Sequence, residues 1–408
     1  MKDVRAAIVG AAIVTWALSA PLLFDQRLQA SVGFDFGHFY TIGYLAAERD
    51  GDTLYDAAAL HAKQSALNPA LADIPLPPLY PPQTALLFAP LSLLSYRAAF
   101  IVWECVSALV YVSIIIATWR RLRTNLPDRV LVVAAALASA PFWYLILVRQ
   151  NSVIVLAPLF VGWLALETRR PVAAGLAFGC LAFKPQFALV LAPVLVIRRE
   201  WAIVRGMIVS VVLQLVAVIV WFGASTLVKY VDVLPRLVTS ANDIEPLLYK
   251  SVSLRTLFRL FPPAVGIPLW LASVAVVVAA ALYVWRPEIS VRARLGVVVT
   301  ATVLANPHLR MYDAVVLAPV ALWLGAWYSE RGRASPFGAR VLLLSLAFWA
   351  LVILSLALGT ASGDAAMVVA VLLLTETFYR LVVDVSREFR DSTAPAAAPV
   401  LSQRASPR

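Results

Sequence analysis

Apolar and polar positions along this chain separate into long blocks rather than short periods. Apolar blocks run over 6–24, 83–118, 130–148, 152–166, 172–183, 187–197, 206–222, 264–285, 295–305, 314–328, 341–358 and 365–383. A helix needs roughly 20 residues to cross a hydrocarbon layer of about 30 Å. The blocks therefore predict an all-α membrane bundle of about twelve transmembrane helices. The 83–118 block is too long for one crossing and holds Pro90 and Arg97, which predicts a partly inserted or interfacial helix followed by one span. The two shortest blocks, 172–183 and 187–197, flank Lys184-Pro185-Gln186. Short helices at membrane depth are tolerated where they border protein or a watery cavity.

Composition narrows the class. Of 408 residues 62% are apolar and 14% charged, against about 25% charged in an average soluble domain. This excludes an ordinary soluble protein, a disordered chain and a DNA-binding domain. The net charge of +11 has a membrane explanation, because Lys and Arg mark cytoplasmic connections. The connections 119–129, 167–171, 198–205, 286–294 and 329–340 are rich in arginine, whereas the alternate short ones carry only Arg149, Lys184 and Arg310. Twelve crossings then place both termini in the cytoplasm and the long stretches 25–82 and 223–263 on the outer side, the first being the larger outer loop. Residues 1–385 form one membrane domain and 386–408, rich in Ala, Pro and Ser, a disordered tail. The basic start and apolar run at 6–24 also fit a signal peptide, but Pro21 follows the candidate cleavage site, which favours an uncleaved first span.

Chemistry concentrates at the outer ends of the blocks. An ionisable group at membrane depth is expensive and marks a functional candidate. Asp35 lies in Gly33-Phe34-Asp35-Phe36-Gly37-His38-Phe39-Tyr40. It fits a buried general base and equally a cap for the helix expected over 36–49. Tyr80, in Tyr80-Pro81-Pro82, fits an interfacial anchor or a substrate contact. Arg149-Gln150-Asn151 breaks the charge rule, so something negative is expected beside Arg149: a lipid head group or a substrate phosphate. Lys184 either snorkels to the surface or lines a cavity suited to a phosphate. Asn306-Pro307-His308-Leu309-Arg310-Met311-Tyr312-Asp313 packs four functional side chains into one connection, and His308 is one of only three histidines. Glu104, inside the second span, is expected to bond a neighbouring helix. Asp50-Gly51-Asp52 reads as a turn. No nucleotide-binding or metal-ligand motif occurs, so neither a cofactor nor a metal is expected.

In this order, FDFGHFYTIGYLAAERDGDTLYD (34–56), YPPQTALLFAPLSLL (80–94), RQN (149–151), FKPQFALVLAPVLVIRREW (183–201) and NPHLRMYD (306–313) resemble the polytopic glycosyltransferases of family 87. The resemblance covers most of the chain to about residue 385. It implies a GT-C membrane fold and a polyprenol-phosphate-mannose-dependent mannosyltransferase-like activity. It also implies that Asp35 matches the catalytic aspartate and that His308 and Lys184 line the donor site. Gly37-His38-Phe39-Tyr40 departs from the family's usual tyrosine pair.

The expectation is an inverting hexosyltransferase in the plasma membrane, its site on the outer face. It takes a sugar, mannose or another hexose, from a polyprenyl-phosphate donor to a lipid or glycan acceptor. Asp35 and His308 are the candidate catalytic residues; Lys184, Arg149, Arg310, Tyr80, His38, Tyr40, Asn151 and Gln186 are the candidate substrate contacts. A transporter or lipid-linked-sugar flippase is the alternative, and it predicts polar groups spread through the middle of the spans.

Overall fold

The structure, a computed structural model, describes residues 34–73, 76–126, 128–137, 139–239, 251–358 and 360–393, together with Gly10 and Ala17. Apart from Gly10 and Ala17, the expected first span at 6–24 lies outside the described residues, as does the tail beyond residue 393. The described chain is all-helical, with one isolated bridge between Ser251 and Arg310.

The stretch that follows the first apolar block is, where described, a set of short helices, α1 (Phe34–Ala47), α2 (Ala57–Leu67) and α3 (Pro82–Phe88). Asp56 starts α2 by accepting from the N–H groups of Ala58 and Ala59, both at 3.0 Å. Asp50 closes the turn before it, accepting from the Thr53 N–H and hydroxyl. After the break at Pro90, Ser95 caps the long α4 (Tyr96–Leu122) through the Ala98 N–H. The expected span at 130–148 is two helices, α5 (Arg129–Leu137) and α6 (Ala140–Val148), parted at Ser139, because Pro141 in the first turn of α6 has no N–H to bond back across the break.

Next come α7 (Leu156–Glu167), α8 (Pro171–Gly179), α9 (Leu191–Ile197), α10 (Trp201–Phe222) and α11 (Ala224–Thr239). The series ends with α12 (Leu254–Phe258), α13 (Pro263–Val284), α14 (Val291–Ala305), α15 (Leu317–Ser329), α16 (Ala334–Leu358) and α17 (Thr360–Thr393). The 223–263 stretch is thus largely helical where described, and α17 runs beyond the expected boundary at 386.

Among the described residues, five helical stretches are long and apolar enough to cross a membrane: Tyr96–Leu122, Trp201–Phe222, Pro263–Val284, Met311–Ser329 and Gly363–Arg390. Leu109, Val220 and Val276 on three of them are 67%, 75% and 69% exposed. Rows of large apolar side chains that exposed suit lipid, not water. α14 and α15 are instead buried on nearly all sides and form the centre.

The opposite ends of the bundle differ in kind. At one end Arg292 bridges Glu330 at 2.9 Å, Arg198 donates to the Trp285 carbonyl, and Arg333 pairs with Asp384. At the other end lie the turns at 149–152, 184–186 and 306–313. Four helices close with arginine in the left-handed conformation, Arg49, Arg149, Arg169 and Arg199, at φ 56–58°. Each shows the same pair of closing bonds; for α6 these are Arg149 N–H to the Ile146 carbonyl and Gln150 N–H to the Leu145 carbonyl. Glycine usually takes this position. An L-residue there costs roughly 1–2 kcal/mol, and a cation at a helix C-terminus returns about 0.3–1 kcal/mol of it.

α8 and α10 meet through small residues, Gly175 and Gly179 against Gly206 and Ser210. A Cβ at Gly175 would strike the Ile203 carbonyl, and one at Gly206 the Val172 carbonyl. Close backbone approach drives helix association where lipid supplies no hydrophobic force. Gly175→Val is therefore expected to part the two helices and lower the thermal midpoint in detergent sharply, whereas Leu176→Val, on an exposed position, leaves it nearly unchanged.

Candidate active site

The 3₁₀ segments at the polar end position the site. Asn151–Val155 precedes α7, Cys180–Phe183 and Pro185–Ala188 flank Lys184, and Met311–Val316 precedes α15. The 13-residue arm Pro171–Phe183 spans about 21 Å at helical rises, well short of the ~33 Å of the 22-residue α10. Gln214 of α10 donates to the Gly179 carbonyl at 3.0 Å, so α8 stops short of the Phe222 end of α10. Lys184 is therefore recessed. α3 fills the space above: Gln83 Nε2 donates to the Ala182 carbonyl and Thr84 Oγ1 to the Phe183 carbonyl. These bonds satisfy carbonyls that a helix end would leave unpaired.

Two polar groups meet there. In the first, Gln150 Nε2 donates to Asp35 Oδ2 at 2.7 Å, Gln150 Oε1 accepts from the Asn151 N–H at 3.3 Å, and the Tyr80 hydroxyl donates to the same oxygen at 3.4 Å. Tyr55 holds Tyr80 by donating to its carbonyl at 2.9 Å. In the second, Lys184 Nζ lies 2.8 Å from Asp313 Oδ1 and 2.6 Å from Ser152 Oγ, and Ser152 donates to Asp313 at 2.5 Å. Asp313 Oδ2 accepts from the Arg310 N–H at 3.0 Å. All four of Gln150, Ser152, Lys184 and Asp313 are buried.

Tyr80 joins the two groups. Burial, then the negative charges of Asp35 and Asp313, push its phenol well above the usual range, and Arg310 opposes them. Tyr80 is thus a protonated donor at any physiological pH. Tyr312, stacked on Tyr144 with ring centroids 6.2 Å apart, lies within electrostatic reach of Asp35, Tyr80, Arg310 and Asp313. One cluster therefore contains a carboxylate held by an amide, a buried lysine–aspartate pair, an arginine and two tyrosines.

The other expected site residues fall around it. Asn151 is fully buried, and its side-chain amide has no hydrogen-bond partner among the described residues. Gln186 contributes its carbonyl, which accepts from Asn306 Nδ2 at 2.9 Å, and Asn306 Oδ1 in turn accepts from the His308 N–H. His308 is half-buried on that turn. Arg149 turns toward α4, 3.3 Å from Glu104 and 4.0 Å above the Phe100 ring. Its expected negative partner is thus a side chain of this protein. Tyr40 spends its hydroxyl on the Leu94 carbonyl at 2.8 Å and packs against Tyr96.

His38 backs Tyr80, with ring centroids 5.7 Å apart. The Gln64 side-chain amide lies 3.0 Å from the His38 Nδ1. Burial lowers its pKa to about 4, from 6.5 for the free side chain. Below pH 6.5 the unfolded chain takes up a proton that the folded chain refuses. Stability is expected to be full above pH 6.5, to fall as the pH drops toward 4, and to level off about 3 kcal/mol lower. Denaturation midpoints across that window check this, and His38→Gln removes the component.

Gln150, Ser152 and Asp313 are the site residues that sequence reasoning passed over. Gln150 and Asp313 stood inside the clusters singled out, and each was overlooked beside a charged neighbour. Ser152 carried no signal.

The model of glycosyltransferase family 87 matches residues 79–307. That stretch holds Tyr80, Gln150, Ser152, Lys184 and Asn306 but neither Asp35 nor Asp313. No curated protein and no solved structure matches the chain. With more than half of its length matched, this membrane protein belongs to glycosyltransferase family 87 and is a glycosyltransferase.

Proposed function

We propose that the enzyme moves a hexose, mannose being the first candidate, from a polyprenyl-phosphate donor to a hydroxyl of a lipid or glycan acceptor, with inversion. The carrying observation is that Asp35 joins, through Gln150 and Tyr80, the cluster of Lys184, Arg310 and Asp313. A base and cations in one place suit a transfer whose leaving group is a phosphate.

Asp35 takes the proton of the acceptor hydroxyl as its oxygen bonds to the anomeric carbon. The bond from that carbon to the phosphate oxygen breaks, and the phosphate leaves with the electron pair. It needs little protonation, so one carboxylate is enough. Arg310, Lys184 and His308 are the groups to hold the growing charge. Loss of one such contact is worth about 10²–10³ in rate, as for an oxyanion donor.

An apolar cavity of about 140 Å³ supports a lipid donor. Its lining starts at Ala314, next to Asp313, continues along α15 through Leu317, Ala318 and Ala321, and includes Phe348 and Leu374. This suits a prenyl tail whose phosphate lies at the polar end.

The reading includes the GT-C arrangement of about twelve spans, both termini in the cytoplasm, and the polar end facing outward at the plasma membrane. The arginine-rich connections at the other end support that orientation. The confinement of the polar cluster to one end favours an enzyme over a transporter.

The test incubates purified protein with a panel of polyprenyl-phosphate sugars and acceptor lipids and follows release of polyprenyl phosphate. Release that depends on acceptor and on one sugar supports the proposal. Transfer from a nucleotide sugar alone overturns it.

A further inference from the structure

We infer that Gln150 is a positioning residue, which aims the Asp35 carboxylate toward the acceptor hydroxyl; this rests on the reading of Asp35 as the base. The amide has a defined sense. Its Oε1 accepts from the Asn151 backbone N–H, a group that can only donate, and so its Nε2 must be the atom facing Asp35 Oδ2. An ionised carboxylate can only accept, so both ends agree. Tyr80 adds a second donor to Oε1, and Tyr55 fixes Tyr80 from behind.

The backbone makes the clamp rigid. Gln150 follows directly on Arg149, whose left-handed conformation ends α6, and its own N–H is tied to the Leu145 carbonyl at 3.1 Å. The Arg149 carbonyl accepts from Trp103 Nε1 at 3.2 Å. Gln150 is also buried, so few other rotamers are open to it. Asp35 sits in the first turn of α1, 115 residues earlier. Gln150 thus helps to set α1 against the bundle at the reacting group.

The test uses full-length protein in vesicles. Gln150→Met keeps the length and removes all three side-chain bonds. Turnover is expected to fall on the order of 10²-fold, the scale of an ångström's misplacement, with the KM for donor little changed. Gln150→Glu keeps the oxygen for Asn151 and Tyr80 but puts a second carboxylate against Asp35. Two such groups share a proton, so the acid limb of the pH–rate profile is expected to move to higher pH by about one unit or more. Infrared difference titration, with Asp35→Asn as the subtraction, reads the same movement without substrate. Where Gln150→Met does not reach the membrane, Gln150→Glu carries the test. A Gln150→Glu protein whose acid limb and carboxyl titration match wild type overturns the inference. Wild-type turnover in Asp35→Asn strikes instead at the base itself.

Discussion

Asparagine at position 35 is expected to lower transfer by about 10²–10⁴-fold, the usual contribution of a general base, while the protein folds and inserts normally. The substitution is close to isosteric. Its Oδ1 can still accept from Gln150 Nε2, so the 2.7 Å clamp survives while the capacity to take a proton is lost. The measurement pairs initial rates of polyprenyl-phosphate release with the thermal midpoint in the same detergent. Low rate at an unchanged midpoint assigns the loss to chemistry. A variant that turns over like wild type removes Asp35 from the reaction, and a large fall in midpoint makes it an ordinary structural contact.

Methionine at position 184 is the second large effect, and it is expected in stability first. Lys184 and Asp313 are each 3% exposed and 2.8 Å apart. Removing the lysine leaves a buried carboxylate held only by Ser152 and the Arg310 N–H. Breaking a buried pair from one side costs about 3–5 kcal/mol, whereas replacing both partners with apolar groups of similar size is often neutral. Lys184→Met should therefore lower the unfolding free energy steeply, and Lys184→Met with Asp313→Leu should recover most of it. The double variant is expected to stay inactive, because the site has lost a cation and the turn at Arg310. A double variant as unstable as the single shows that the pair is not the source of the loss.

These residues also show what could be read before the fold was known. The polar turns and their order were legible, because a charged group between apolar blocks is costly and stands out. So were the short arms on either side of Lys184, since 13 residues cannot cross about 30 Å. Pairings were not legible. Asp35 meets Gln150 across 115 positions and Ser152 meets Asp313 across 161, and no local pattern encodes such partners. Arg149 illustrates the loss. It drew attention as a lone cation, and Glu104 drew it separately as a carboxylate inside a span, yet nothing in the spacing joined the two. The twelve expected crossings blurred for a similar reason. Hydropathy marks apolar blocks but not their breaks, so 130–148 became two helices and the blocks around Lys184 became helices interrupted by 3₁₀ turns.

The separation of Lys184 from Asp313 also governs how the enzyme is made. During synthesis Lys184 leaves the ribosome 129 residues ahead of its counter-charge. Until α15 is delivered, the nascent protein carries an uncompensated ammonium between two half-length helices. That interval is when a membrane chaperone or protease can recognise it as unfinished. Chains arrested between positions 200 and 300 should be degraded faster than chains that end after residue 330.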